Sequence, residues 1–266
     1  MSESLPRIGI VGFGLIGSYV YRQISTRPDL GLEVAFVHNR SLEKVAHLPS
    51  EVILDDLGDF ARFQPDMVVE LAHASVTAAH GAAFLRHTDY MPLSLTALAD
   101  AELERTLLDT AQAHGTRLYI PHGAVVGLEA IGEGRDQWDE VTMVMRKSPS
   151  SIDFTEHPTV TGEGISEDTV IYDGPTRGIC PLFPRNVNSH AALALGGIGF
   201  DRTRSVLIAV MDSHTSDIEI TARGEAADLT IRRVSPMKGV SGMFTLISAL
   251  GSVVGVKSPG AGLQIC

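Results

Sequence analysis

The sequence predicts an α/β fold, in which a doubly wound parallel sheet is joined to a smaller α+β domain. Up to about residue 122, short apolar segments alternate with longer segments of helical spacing. Several apolar segments lack polar alternation, which is typical of parallel strands that are covered on both faces. After this point, strand-like segments, loops and a small-residue helix follow one another. The change of pattern predicts two domains of different architecture.

The elements of the N-terminal half are predicted from the spacing of their apolar residues. Short continuous runs indicate strands, and apolar residues three and four apart indicate helices. The predicted strands are Arg7–Val11, Leu32–His38, Glu51–Leu54, Asp66–Ala72, Met91–Leu95 and Arg117–Ile120. The predicted helices are Leu15–Ser25, Val76–His87 and Asp100–His114. This alternation is the order expected of a parallel sheet with crossover helices.

The C-terminal half is predicted to be richer in strands. The expected strands are Val141–Arg146, Ser205–Met211, Asp217–Ala222 and Asp228–Arg233, and the expected helices are Ser189–Gly196 and Ser241–Val254. The polar, glycine-bearing segment from Glu156 to Asp173 predicts loops and edge structure. We therefore expect one domain over residues 1–122, completed by the C-terminal helix within residues 240–266, and a second over residues 123–239.

Composition excludes several classes of protein. The chain has 266 residues, and its 21 Lys and Arg against 32 Asp and Glu give a net charge of −11. Such an acidic chain repels a phosphate backbone, so general nucleic-acid binding is not expected. Two cysteines, Cys180 and Cys266, cannot build a zinc cluster or a disulfide framework. Without a signal peptide or a long apolar run, we expect a cytoplasmic protein that does not bind membranes.

A glycine-rich turn is the strongest motif. Gly12-Phe13-Gly14-Leu15-Ile16-Gly17 follows a predicted strand directly and opens a predicted helix. In this setting the first glycine permits the tight turn, the second lets the backbone approach a pyrophosphate, and the third lets helix and strand pack closely. The helix N-terminus adds free N–H groups and a partial positive charge. The motif therefore predicts a dinucleotide-binding turn.

The end of the second predicted strand bears on the choice of dinucleotide. An acidic residue usually holds the ribose 2′-hydroxyl there. This strand ends instead in His38-Asn39-Arg40. An arginine pairs well with a 2′-phosphate, so NADP is expected to be accepted at least as well as NAD. The alternative is that Arg40 is a solvated turn residue.

Several segments together resemble the L-aspartate dehydrogenase family, including its animal "aspartate dehydrogenase domain-containing" branch. The likeness covers nearly the whole chain in order, and its C-terminal motifs are the more specific ones. The matching segments are Gly9–Gly14, Val68–His73, Ser94–Asp100, Pro121–Ala130, Met145–Pro149, Phe183–Asn188 and Gly199–Arg204.

The resemblance implies NAD(P)-dependent oxidative deamination of L-aspartate by a homodimer with a Rossmann domain and a catalytic and dimerisation domain. It places Ala124 and Asn188 in contact with the cofactor. We add Ala72 and His73 to the expected cofactor site, because Ala72 ends the predicted strand Asp66–Ala72 and His73 follows it, at the carboxyl edge of the sheet. At position 122, this chain has His where the family often has Ser.

Oxidation of an amine needs a base that accepts a proton, and histidine suits this role near neutral pH. The family carries its catalytic histidine in an Asn-x-His-Glu segment that enters a strand. His214 is the histidine of the corresponding segment, and we predict that it is the base. A gapless match would place Ser216 or Ile218 at the family position instead. His73, His122 and His190 are the alternatives, although His190 is expected to be a packing residue.

A substrate with two carboxylates needs cationic side chains or clustered backbone N–H groups. Arg185 and Asn186 are the first candidates for contacts with the substrate. His122 and Gly123 are also expected to line its pocket, and Arg146 and Lys147 come next. No metal-ligand spacing appears, so no metal is expected. Two alternatives stay open: a dehydrogenase or imine reductase of another small amino or oxo acid, and an NADP-binding protein without catalysis.

Overall fold

A computed structural model describes residues 4–238 and 241–257. Within these ranges, the chain forms two compact units. The first unit comprises residues 4–93, 107–121 and 249–257, and the second comprises residues 94–106, 122–238 and 241–248. The end of the expected segment 240–266, including Cys266, lies outside the described residues. No helix in the described ranges is long and apolar enough to cross a membrane.

The first unit is built on a parallel sheet of four strands in the order β2-β1-β3-β4. The strands are β1 (Arg7–Val11), β2 (Glu33–His38), β3 (Met67–Glu70) and β4 (Asp89–Pro92). Helices α1 (Leu15–Thr26) and α2 (Ala74–Leu85) lie within this unit, and α3 (Ala101–His114) and α7 (Phe244–Lys257) have residues in both units. The core combines apolar residues of β1 and β3 with Ala249 and Val253 of α7. The predicted α/β fold class is confirmed.

Two predicted strands of this unit are wrong. The segment Glu51–Leu54 forms a turn of 3-10 helix at Ser50–Val52 and a single bridge between Val37 and Ile53. Because the helical turn includes Glu51 and Val52, only the end of the segment is left to pair with β2.

The segment Arg117–Ile120 contributes one bridge, between Tyr90 and Leu118. Pro92 and Pro121 follow on the two paired segments, and neither has an N–H group to extend the ladder. Arg117 N–H also donates to the Asp89 carboxylate at 2.9 Å. The pairing therefore ends after one residue.

The second unit contains a six-stranded sheet in the order β10-β9-β8-β5-β7-β6, in which β5 and β7 are parallel and the other neighbours are antiparallel. The strands are β5 (Trp138–Lys147), β6 (Thr169–Pro175), β7 (Thr203–Ala209), β8 (Thr215–Gly224), β9 (Asp228–Lys238) and β10 (Ser241–Gly242). Three helices accompany them: α4 (Leu128–Glu133), α5 (Thr176–Ile179) and α6 (Asn188–Gly196). The predicted α+β character is confirmed.

One face of this sheet is buried, and we call it the covered face. Alternate residues of β5, from Val141 to Lys147, are buried on it, as strand geometry requires. The same alternation on β8 buries the even-numbered residues from Ser216 to Ala222. Helix α6 lies on this face, since its His190 is hydrogen-bonded to Ser205 of β7. Residues 189–194 of α6 are all buried.

Candidate functional site

The glycine-rich turn has the backbone expected of a phosphate-binding turn. Gly12 has φ +101°, and a Cβ atom there would lie 2.7 Å from the Leu71 carbonyl oxygen. A Cβ atom on Gly17 would overlap the Gly12 carbonyl oxygen. At Gly14, by contrast, a Cβ atom would meet nothing within 4 Å. Two glycines are therefore required by the fold, whereas Gly14 borders open space.

The open space at Gly14 adjoins the N-terminus of α1, which begins at Leu15 without a side-chain cap. The N–H groups of a first helical turn, here those of residues such as Ile16, are suited to bind phosphate. An L side chain at position 14 would occupy the space through which a pyrophosphate approaches. The turn thus fits a dinucleotide, which is consistent with the expected cofactor.

The end of β2 is tied to this turn by hydrogen bonds. Gly12 N–H donates to the His38 carbonyl at 2.8 Å, and Phe13 N–H donates to Asn39 Oδ1 at 3.0 Å. The Asn39 side-chain amide in turn donates to the Ser41 carbonyl at 2.9 Å. Arg40 follows with an exposed side chain. Asn39 therefore positions the turn, and Arg40 is available to a ligand.

The end of β3 contains a residue that the sequence interpretation missed. Glu70 is fully buried, and its carboxylate accepts the Ala72 N–H at 2.6 Å. His73 is the N-cap of α2, where its Nδ1 accepts the Ser75 N–H at 3.2 Å. A cap of this kind has a structural function of its own. The signal for Glu70 was its position as the last residue of a continuously apolar strand.

Residues 122–127 form a backbone segment with unusual dihedral angles. Gly123 has φ +57° and Gly127 has φ +78°, and between them Ala124 adopts φ +64°, which non-glycine residues rarely do. Ala124 is buried, and its N–H donates to Ser248 Oγ at 3.0 Å. His122 Nε2 lies 2.7 Å from the Glu129 carboxylate. Such strain concentrates at functional sites.

Arg185 and the two asparagines of the same segment are already engaged within the second unit. Arg185 forms an ion pair with Asp153 at 3.0 Å. Asn186 is buried, and its amide oxygen accepts the Asp153 N–H at 2.7 Å. Asn188, the first residue of α6, accepts the Thr96 N–H at 3.2 Å. These contacts make the segment a rigid support for its neighbours.

The covered face carries two cationic side chains and one imidazole that we call the basic cluster: Lys147 of β5, His190 of α6 and Arg233 of β9. Lys147 is 4% exposed and His190 is fully buried. Burial, followed by the nearby Arg233 charge, lowers the pKa of Lys147 to about 8. Burial and the Lys147 charge lower the pKa of His190 to about 3. The sequence interpretation ranked Lys147 low and did not single out Arg233.

The predicted base lies near the end of the covered face. Ile218 of β8 is buried between Met145 of β5 and Arg233 of β9 in the strand register. Ser216 is buried two residues earlier. His214 precedes β8 by one residue, its side chain is exposed, and its carbonyl accepts the Met237 N–H at 3.2 Å. Ser216 and Ile218 thus lie buried on the covered face, and His214 continues the same alternation at its solvent-exposed end.

Two family models match successive parts of the chain. Residues 12–121 match the family model described as "Homoserine dehydrogenase, NAD binding domain", and residues 130–255 match "Aspartate dehydrogenase, C-terminal". The chain therefore has an NAD-binding domain, and the expected nicotinamide dinucleotide cofactor is confirmed.

Individual proteins extend the likeness over the full length. An aspartate dehydrogenase domain-containing protein of Xenopus tropicalis is 35% identical, with 99% of each chain covered. An L-aspartate dehydrogenase of Methanosarcina acetivorans is 31% identical over 95% of this chain and 97% of its own.

The crystal structure of aspartate dehydrogenase from Thermotoga maritima has the same fold, with a TM-score of 0.71 and 19% identity over 95% of this chain and 94% of that one. The resemblance inferred from the sequence motifs is confirmed by these matches. The chain belongs to the aspartate dehydrogenase family.

Proposed function

We propose that the protein catalyses the reversible, NAD(P)-dependent oxidative deamination of L-aspartate to iminosuccinate, which hydrolyses to oxaloacetate and ammonia. Full-length relatives at 30–31% identity are named L-aspartate dehydrogenase. The observation that carries the proposal is the open space at Gly14 beside the uncapped start of α1. It supports the binding of a dinucleotide, and the names of the relatives indicate L-aspartate as the substrate.

A group of residues is proposed to bind the cofactor for this reaction. The bound nicotinamide supplies an acceptor for the hydride that leaves the substrate Cα. The turn from Gly12 to Gly17, the N–H groups of the first turn of α1, and Asn39 with Arg40 would hold the dinucleotide. Ala72, His73, Ala124 and Asn188 complete the proposed cofactor contacts, the last two by analogy with the family.

A proton must leave the substrate ammonium before the hydride departs, so that the nitrogen lone pair can form the C=N bond. We assign His214 as its acceptor, because it is the histidine of the segment that corresponds to the family's catalytic segment, and its exposed side chain lies near the end of the covered face. The same group would activate the water that attacks the imine. His122, Gly123, Arg185 and Asn186 are proposed to shape the substrate pocket.

The test is absorbance of the reduced nicotinamide with L-aspartate and either NAD or NADP, with D-aspartate and L-alanine as comparison substrates. Turnover restricted to L-aspartate supports the proposal. Turnover of another amino acid would identify a different dehydrogenase, and dinucleotide binding without any turnover would identify a non-catalytic binder. A homodimer and a cytoplasmic location remain predictions, and light scattering would test the first.

The role of His214 is tested by His214→Ala. The rate should fall by about 10²–10⁴-fold while dinucleotide affinity is retained, because a general base acts on the chemical step. His114→Ala is the matched control, since His114 is also exposed, at the end of α3. An unchanged rate in His214→Ala would refute the assignment of His214 as the general base.

A further inference from the structure

We propose that the basic cluster is a buried binding site for an amino dicarboxylate, in which Lys147 and Arg233 bind a carboxylate group and His190 Nε2 accepts a hydrogen bond from the α-amino group. The identity of this ligand as the substrate rests on the proposed function. The contacts proposed for the ligand follow from the Lys147 ammonium, the Arg233 guanidinium and the His190 imidazole on the covered face.

The first observation is the absence of compensation for buried positive charge. The hydrogen bond given for the Lys147 ammonium, to the Asn186 carbonyl, is 3.5 Å long. The charge that acts most strongly on this ammonium within the described residues is that of Arg233, another cation. A buried ammonium without an anionic partner costs several kcal/mol. An incoming carboxylate would neutralise both cations and accept hydrogen bonds from them.

Arg233 has an unused donor. Its Nε atom is buried and has no hydrogen-bond partner among the described residues, while its guanidinium also donates to Ser235 Oγ. Asp217 of β8 is the acidic residue that acts on it electrostatically, but that carboxylate is paired with Arg232 at 2.8 Å. The Arg233 side chain is only partly buried. It therefore combines an unsatisfied donor with a route between the cluster and solvent.

The third observation is the direction of the hydrogen bonds that link His190 to the hydroxyl groups of Ser205 and Thr176. Thr176 Oγ1 donates to the Thr203 carbonyl at 3.0 Å, so it accepts from Ser205 Oγ at 2.8 Å. Because the Ser205 proton is used in this way, Ser205 Oγ accepts from His190 Nδ1–H at 2.9 Å. The imidazole is neutral, and its Nε2 therefore carries a lone pair and no proton.

His190 Nε2 is fully buried and has no hydrogen-bond partner in the described part of the chain. A buried acceptor of this kind requires a donor. A carboxylate has none at neutral pH, whereas an amino group supplies N–H. The cluster thus suits a ligand with a carboxylate for its cations and an N–H group for its imidazole, and an amino dicarboxylate provides both.

The experiment measures equilibrium binding by calorimetry, with the full chain and without turnover. Succinate probes the carboxylate contacts alone, and L-aspartate adds the amino group. Lys147→Met should weaken both ligands at least tenfold. His190→Leu should weaken L-aspartate and leave succinate unchanged. Arg223→Met is the matched control, because this exposed arginine of β8 pairs with Glu140 and belongs to no contact of the basic cluster described above, and it should bind both ligands normally.

Succinate binding to folded Lys147→Met with the wild-type dissociation constant would overturn the proposal. Should His190→Leu fail to fold, Ser205→Ala replaces it, since this change releases the imidazole tautomer and should also weaken L-aspartate selectively. Lys147-dependent succinate binding in a protein that turns over no amino acid would refute the proposed function alone. Turnover of L-aspartate with an unchanged KM in Lys147→Met would refute the binding site alone.

Discussion

Replacing Lys147 by Met is expected to stabilise the protein at neutral pH. The folded structure lowers the pKa of this lysine from 10.5 to about 8. At 1.36 kcal/mol for each tenfold change in the ionisation constant, holding the ammonium in the folded state costs about 3 kcal/mol. Met keeps the length of the side chain without its charge, so Lys147→Met should raise the free energy of unfolding by about this amount at pH 7.

The gain should disappear as the pH rises. Below pH 8 the lysine is protonated in both the folded and the unfolded chain, and the full cost is present. Between pH 8 and 10.5 the unfolded chain binds more protons, so the free energy of unfolding of the wild type increases with pH across this window. The difference between Lys147→Met and the wild type should therefore shrink from pH 8 upward and vanish near pH 10.5.

The assay is urea unfolding at pH 7 and pH 10, followed by tryptophan fluorescence. The chain has a single tryptophan, Trp138, which is buried in the second unit together with Lys147. Arg223→Met is the control, since it removes an exposed cation of β8 from the same sheet. A Lys147→Met protein that is no more stable at pH 7, or equally stabilised at both pH values, would refute the reasoning.

Four further substitutions test other parts of the structure. Gly14→Ala should keep the wild-type melting temperature and weaken NADPH binding measured by fluorescence. Gly17→Ala should lower the melting temperature, because the Cβ atom at position 17 overlaps the backbone. Unchanged NADPH affinity in Gly14→Ala would contradict the assigned approach of the pyrophosphate. Arg40→Asp should shift the ratio of kcat/KM from NADP toward NAD, and an unchanged ratio would mean that Arg40 does not contact the 2′ position. Ala124→Gly should stabilise the protein by about 1 kcal/mol in urea unfolding, since glycine adopts φ +64° without strain; equal or lower stability would show that the segment holds no such strain.

Local patterns were sufficient for most of the first unit. The turn from Gly12 to Gly17 could be predicted because every requirement for it lies within six adjacent residues. The strands expected at Glu51–Leu54 and Arg117–Ile120 failed for a different reason. Whether the segment Arg117–Ile120 joins the sheet depends on the donors of its neighbour, and Pro92 and Pro121 lie on segments that come together only in the folded chain.

The candidate site was less predictable, because its chemistry depends on residues far apart in the sequence. Lys147 at a strand end resembles an ordinary solvated cation, and only the sheet register places it on the covered face. The lone pair of His190 depends on Ser205 and Thr176, which belong to other elements. The expectation that His190 is a satisfied packing residue accounts for one of its nitrogen atoms but leaves the other without a partner.

The hydrogen bonds of Asn39 have a consequence for any attempt to redesign dinucleotide preference. Introducing an acid at the end of β2 is the obvious route to a protein that prefers the unphosphorylated dinucleotide. At position 39, a carboxylate could still accept the Phe13 N–H, but it would have no N–H for the Ser41 carbonyl and would repel that oxygen. Selectivity can therefore be altered at position 40 without disturbing the glycine turn, whereas at position 39 the two properties change together.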